Sequence, residues 1–255
     1  MSTRTTLLAL CTTLLGGAAF AAAPTSQSFD ANGVKIHYLV QGSGEPVVLI
    51  HGLYSSAAIN WQLPGTMAAL ARNHQVIALD LPGHGRSDKP DRDDAYGVQM
   101  AEDVILLMDH LDLKKAHIGG YSLGGMVAMR LIADHPNRVI SGAIGGMGWL
   151  REGGALQQVW ERMAQGQRGP TPAACVRNIG KLGITRQSLM SIQVPIEILV
   201  GDRDPVRKLY VDPLLMVRQD WPVIEIPDAG HLNCIVKKEF IDGMVSWIDH
   251  HHAGL

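Results

Sequence analysis

Ser122 sits in the string Gly120-Tyr121-Ser122-Leu123-Gly124, between the apolar run Ala116-His117-Ile118-Gly119 and a helical pattern. A serine hydroxyl is a useful nucleophile only when it projects from a rigid support within reach of a base, and a sharp strand-to-helix turn provides that support. Such a turn forces the serine into strained backbone angles. It also brings neighbouring chain so close that the positions two before and two after must be nearly free of side chain. Gly120 and Gly124 meet this demand and Gly125 extends it. The spacing therefore predicts a nucleophile elbow at Ser122, and with it acyl-transfer chemistry.

Further segments supply context. Val47-Val48-Leu49-Ile50-His51-Gly52-Leu53 is a buried-strand pattern running into a His-Gly turn. Val76-Ile77-Ala78-Leu79-Asp80-Leu81-Pro82-Gly83-His84-Gly85-Arg86-Ser87-Asp88 is a strand followed by a glycine-rich loop. Two late strand patterns, Ile196 to Val200 and Ile224 to Ile226, run into Gly201-Asp202-Arg203-Asp204 and Pro227-Asp228-Ala229-Gly230-His231. With these strings the chain resembles the α/β-hydrolase superfamily, in its serine-nucleophile branch, over about residues 28 to 250. The string from Val76 to Asp88 carries the most specific part of the likeness.

The resemblance implies an α/β fold: a mostly parallel eight-stranded sheet flanked by helices, with a small helical cap. It also implies a triad in the order Ser122, Asp204, His231. Ser122 would attack an acyl carbon, His231 would take its proton and return it to the leaving group, and Asp204 would fix the imidazole tautomer. The backbone N–H groups of Leu53 and Leu123 would form the oxyanion hole. Asp202 and Asp228 are the competing carboxylates; Asp202 suits the turn itself, since short acidic side chains bond their own backbone. Some relatives take the acid from the end of the preceding strand, but there the chain offers Gly145-Gly146-Met147-Gly148 and no carboxylate. His51 and His84 are expected to organise their turns through hydrogen bonds.

A coarse pass along the chain gives strands at Gln27 to Asp30, Val34 to Gln41, Val47 to Ile50, Val76 to Leu79, Lys115 to Gly119, Val139 to Ile144, Ile196 to Val200 and Val223 to Ile226. The first two suit an antiparallel hairpin about Asn32-Gly33. The later ones are short apolar runs separated by helical patterns, which favours parallel strands buried on both faces. Helices read at Met100 to Leu111, Leu123 to Asp134 and Phe240 to His250. Between about 149 and 191 the strand-helix alternation lapses, and a cap is expected there. Within it Leu156, Val159, Trp160 and Met163 recur at helical spacing before Gly169-Pro170-Thr171-Pro172 breaks the chain. Tyr54, Met147, Trp149 and Trp160 are candidate substrate-lining residues. The side-chain directions of Tyr121 and Leu123 are not fixed by sequence.

With 255 residues, 46% hydrophobic and 18% charged, the chain can build one large domain with a substantial core. Arg4 precedes an uncharged apolar stretch from Leu7 to Phe20, and Ala19-Phe20-Ala21 places small residues for cleavage. Residues 1–21 therefore read as a secretory signal peptide, residues 22–255 as a single hydrolase domain, and the product as exported, periplasmic or secreted, with no stable membrane anchor. The stretch is short for a membrane span and is interrupted by Gly16 and Gly17. A net charge of −2 with scattered basic residues gives nucleic acid nothing to bind. Cys175 and Cys234 remain after cleavage; export permits a disulfide, and two separate buried thiols are the preferred reading.

No metal or organic cofactor is expected: there is no His-Glu-x-x-His helix, no clustered Cys and His, and no phosphate-cradling loop. His250-His251-His252 reads as an exposed terminal run. An apolar lining favours carboxylic esters of small to medium size, lactones included, as the small-molecule substrates. Carbon-carbon bond hydrolases and cofactor-free haloperoxidases share the serine, and a secreted binding module on the same scaffold is the non-enzymatic alternative.

Overall fold

The computed structural model describes residues 23–252. The expected signal segment lies outside the described residues. Eight strands form one sheet: β1 (Thr25–Ala31), β2 (Val34–Gln41), β3 (Glu45–Ile50), β4 (His74–Leu79), β5 (Ala116–Tyr121), β6 (Val139–Gly145), β7 (Ile196–Gly201) and β8 (Val223–Ile226). Their spatial order is β1-β2-β4-β3-β5-β6-β7-β8. β1 and β2 pair antiparallel through the Asn32-Gly33 turn, where both residues have positive φ, as a tight hairpin turn requires. β2 joins β4 antiparallel, and the remaining pairs are all parallel.

The helices are α1 (Thr66–Leu70), α2 (Val98–His110), α3 (Leu123–Asp134), α4 (Ala155–Gln165), α5 (Ala173–Asn178), α6 (Arg186–Ser191), α7 (Asp212–Leu215) and α8 (Lys238–His250). They cover both faces of the sheet, which is why β3 reads as the unbroken run Val47-Val48-Leu49-Ile50: all four side chains are fully buried. One face packs with α2 and α3, through Met100, Val104, Val127 and Leu131 among others. The other packs with α1 and α8, through Met67, Leu70, Phe240, Met244 and Ile248.

β3 lies between β4 and β5, so the chain leaves it towards one side and later returns on the other. In open α/β sheets that reversal leaves a crevice at the carboxyl ends of the strands. The ends of β3 and β5 carry Leu53 and Ser122. α4, α5 and α6 all fall between β6 and β7, where the cap is expected. α4 carries the Leu156, Val159, Trp160 and Met163 stripe. Among the described residues no helix is long and apolar enough to cross a membrane.

The terminal histidine run is less free than its composition suggests. His252 Nδ1 lies 3.2 Å from Glu45 Oε1, and His251 Nδ1 lies 2.9 Å from the Trp247 carbonyl. The end of α8 turns back on the amino-terminal ends of the strands, where buried Glu45 also bonds His117 Nε2 at 2.7 Å; that tertiary contact leaves no periodic mark in the sequence.

Candidate active site

The elbow forms as its glycines demand. Ser122 has φ 54° and ψ −114°, at the junction of β5 and α3. A Cβ on Gly120 would lie 2.2 Å from the Gly124 carbonyl oxygen, and one on Gly124 would lie 2.0 Å from that of Ile50. Neither position tolerates a side chain without moving backbone. The close crossing of strand and helix also directs the amino end of α3, with its partial positive charge, at the Ser122 region.

Ser122 is hydrogen-bonded to an imidazole. Ser122 Oγ lies 2.9 Å from His231 Nε2, and His231 Nδ1 lies 2.8 Å from Asp204 Oδ2. A carboxylate accepts hydrogen bonds, so it selects the tautomer with the proton on Nδ1, which leaves Nε2 free to accept the Ser122 proton. The Asp204 side chain is fully buried. Its other oxygen accepts the Val206 N–H at 2.9 Å, which holds the carboxylate edge towards the imidazole.

The competing carboxylates are occupied elsewhere. Asp202 accepts the backbone N–H groups of Ala229 and Asp228 at 3.0 and 3.1 Å, and these bonds hold it below the usual carboxylate range. Asp228 pairs with Arg203 at the surface. Asp202 thus ties the loop bearing Asp204 to the loop bearing His231.

Sequence left the direction of Tyr121 open, and the structure settles it. Its ring is buried, 5.6 Å from the His231 ring, and its hydroxyl donates to the His231 carbonyl oxygen at 2.5 Å. The ring fills the space above Gly145 and Gly146; a Cβ on either would come within 2.9 Å of it. The strand end that lacks an acid is therefore the seat of the tyrosine that anchors the histidine's backbone. No spacing rule could have exposed this role, because the contact spans 110 positions.

Leu53 follows β3 and Leu123 opens α3. The two segments meet: a Cβ on Gly52 would lie 3.3 Å from Ser122 Cβ, and the Gly52 N–H is fixed by Asn60 Oδ1 at 2.8 Å. His51 and His84 are turn organisers. The Leu81 N–H donates to His51 Nε2 at 3.0 Å while His51 Nδ1 bonds the Gly52 carbonyl at 2.7 Å. His84 Nδ1 bonds the Pro82 carbonyl at 3.0 Å, and burial first, then the neighbouring His51, pushes its pKa down to about 3. Both rings are held neutral by burial at ordinary pH. Asp80 anchors the loop that follows it: Oδ1 accepts the Ala57 N–H at 2.7 Å, and Oδ2 the Arg86 N–H at 2.9 Å.

The four candidate lining residues are dispersed. Met147 is buried against the position of Gly125. Trp149 is buried with its indole N–H on the Ile184 carbonyl at 2.9 Å, and it lines a groove with Leu156, Leu209 and Met216. Trp160 is half-buried on α4 and packs on the core. Tyr54 is 55% exposed at φ 61°, and its hydroxyl donates to Gln167 Oε1 of the cap at 2.5 Å. Cys175 and Cys234 are free and buried, and burial pushes both thiols up to about 12, so neither offers a thiolate near neutral pH.

A family model described as alpha/beta hydrolase fold matches residues 45–174, half of the chain. The chain belongs to the α/β-hydrolase fold family. Ser122 lies within the matched stretch, and Asp204 and His231 lie beyond it. Among curated proteins, the chain is 40% identical over 129 residues to the dihydrolipoyllysine-residue acetyltransferase component of the acetoin cleaving system of Pseudomonas putida, covering 49% of this chain and 34% of that one. It is 42% identical over 111 residues to the putative carbamate hydrolase RutD of Variovorax paradoxus, covering 42% and 41%. The matches thus span about a third to two fifths of these relatives' length. Among solved structures it is similar to Est816, an N-acyl homoserine lactone degrading enzyme, with a TM-score of 0.70 and 25% identity over 87% of this chain and all of that one.

Proposed function

We propose that this α/β-hydrolase is a serine hydrolase that cleaves carboxylic esters of small to medium apolar substrates, and is exported before it acts. The observation that carries the reading is the unbroken hydrogen-bonded relay from Ser122 through His231 to Asp204. In the first half-reaction Ser122 Oγ adds to the acyl carbon as its proton passes to His231 Nε2. The carbonyl oxygen, now negative, takes hydrogen bonds from the N–H groups of Leu53 and Leu123. Losing one such donor typically costs about 3 kcal/mol of transition-state stabilisation. Collapse expels the alcohol, which leaves with the proton from His231. Water then repeats the sequence on the acyl-enzyme and frees the acid.

Lactones fit the same site, and the likeness to a lactone-degrading enzyme supports including them. Tyr54 ties the turn of the proposed oxyanion hole to the segment carrying Gln167. Initial rates with p-nitrophenyl acetate, butyrate and octanoate, an acyl homoserine lactone and a matched anilide test the assignment. Esters and lactone are expected to turn over and the anilide to resist, with Ser122→Ala and His231→Ala each lowering kcat by about 10⁴-fold or more. Faster cleavage of the anilide than of its ester would contradict it.

A further inference from the structure

Where the cap joins the core, a groove of about 390 Å³ runs between the start of α4 and the helical segment that follows β7. This is the size of a small-molecule site. Arg151, Leu156 and Arg186 line it from the cap, Leu209 and Met216 from the core, and Trp149 at the junction. Met216 is 80% exposed and Leu209 48%, so large apolar side chains face water along one wall.

The charge of the groove is equally one-sided. A parallel bridge between Arg151 and Ile184 sets Arg151 beside the segment that leads into Arg186. Among the described residues neither guanidinium has a carboxylate partner, whereas Arg207 and Arg218, on the neighbouring core segment, are committed to Asp212, Glu225 and Asp220. Arg151 lies 6.0 Å from the Trp149 ring centroid, its charge over the edge of the apolar floor.

We propose that this groove binds an amphipathic carboxylate, with the alkyl chain along Trp149, Leu156, Leu209 and Met216 and the head group between Arg151 and Arg186. Guanidinium matches carboxylate in shape and charge, and covering the exposed apolar wall adds a favourable burial term. The groove contains none of Ser122, Asp204, His231, Leu53 or Leu123, so the proposal stands independently of the reaction. Its core wall begins a few residues after Asp204, so an occupant would join the cap to the segment that follows the acid.

Calorimetric titration of decanoate into the wild-type protein, the R151A/R186A double variant and Met216→Asp tests this. Arginine and methionine are exposed at these positions, and circular dichroism verifies that the variants fold. Decanoate is expected to bind the wild type, and to bind each variant about tenfold more weakly or worse. Decyltrimethylammonium, of equal chain length and opposite charge, is expected to bind the wild type weakly. Equal decanoate affinity in all three proteins, no binding to the wild type, or equal affinity for the cationic probe would each overturn the proposal; the first would place any bound decanoate elsewhere, the cleft at Ser122 included.

Discussion

Tyr121 offers a prediction separable from the triad itself. Its hydroxyl holds the His231 carbonyl at 2.5 Å, and the phenol is buried, so Tyr121→Phe leaves that carbonyl without its donor while keeping the ring. A hydrogen bond of this kind is worth about 1 kcal/mol, so kcat is expected to fall by about fivefold with KM little changed. An unchanged kcat would reduce the contact to packing. At Asp204 the effect is larger: Asp204→Asn can donate to Nδ1 and so favours the wrong tautomer, lowering kcat by roughly three to four orders of magnitude. Asp202→Asn, which keeps one of the two loop-bridging acceptor oxygens, should cost far less. If the two asparagine variants proved equally impaired, the choice between the carboxylates would be wrong.

The elements were legible to different degrees, for physical reasons. Hydrophobic runs bounded by turn residues located all eight strands, and β2 and β8 match their expected limits to the residue. α3 is also matched end to end, because the elbow fixes its start and His135-Pro136 its stop. Short helices such as α1, α5 and α7 carry too few turns for periodicity to show, and the sequence left them unassigned. Ser122, Asp204 and His231, which the structure brings into one hydrogen-bonded row, were legible as candidates because each follows a strand that is itself legible. Tyr121, Asn60 and the cap contact of Tyr54 act through tertiary contacts that no local pattern records. The close approach of α3 to the end of β3 gives a sharp prediction at this scale: Gly124→Ala drives a Cβ to 2.0 Å from the Ile50 carbonyl oxygen, where only backbone can yield. Destabilisation of about 3 kcal/mol or more is expected, measured as a lowered urea midpoint, and a midpoint like that of the wild type would refute the close approach.

Over the whole molecule, two buried carboxyl groups link stability to pH. Burial alone raises Glu197, on β7, to about 8, and burial raises Asp103, on α2, to about 7. Glu197 Oε1 has no hydrogen-bond partner among the described residues. Each group stays protonated in the fold while the unfolded chain ionises, so their contribution is fully present below the ordinary carboxylate pKa and is lost as pH rises through about 7 to 8. Glu197→Gln should match the wild type in urea near pH 4 and exceed it near pH 8. Midpoints that run parallel across that range would sink this assignment. Catalysis in the reading proposed above needs the whole fold for one purpose, to hold a serine oxygen, an imidazole and a carboxylate from three separate strand ends in line. The most direct test is a fluorophosphonate probe followed by peptide mass spectrometry. One phosphonyl group per chain is expected, on Ser122, with labelling abolished in Ser122→Ala and strongly slowed in His231→Ala. Wild-type protein that stays unlabelled, or carries the probe on another residue, would contradict it.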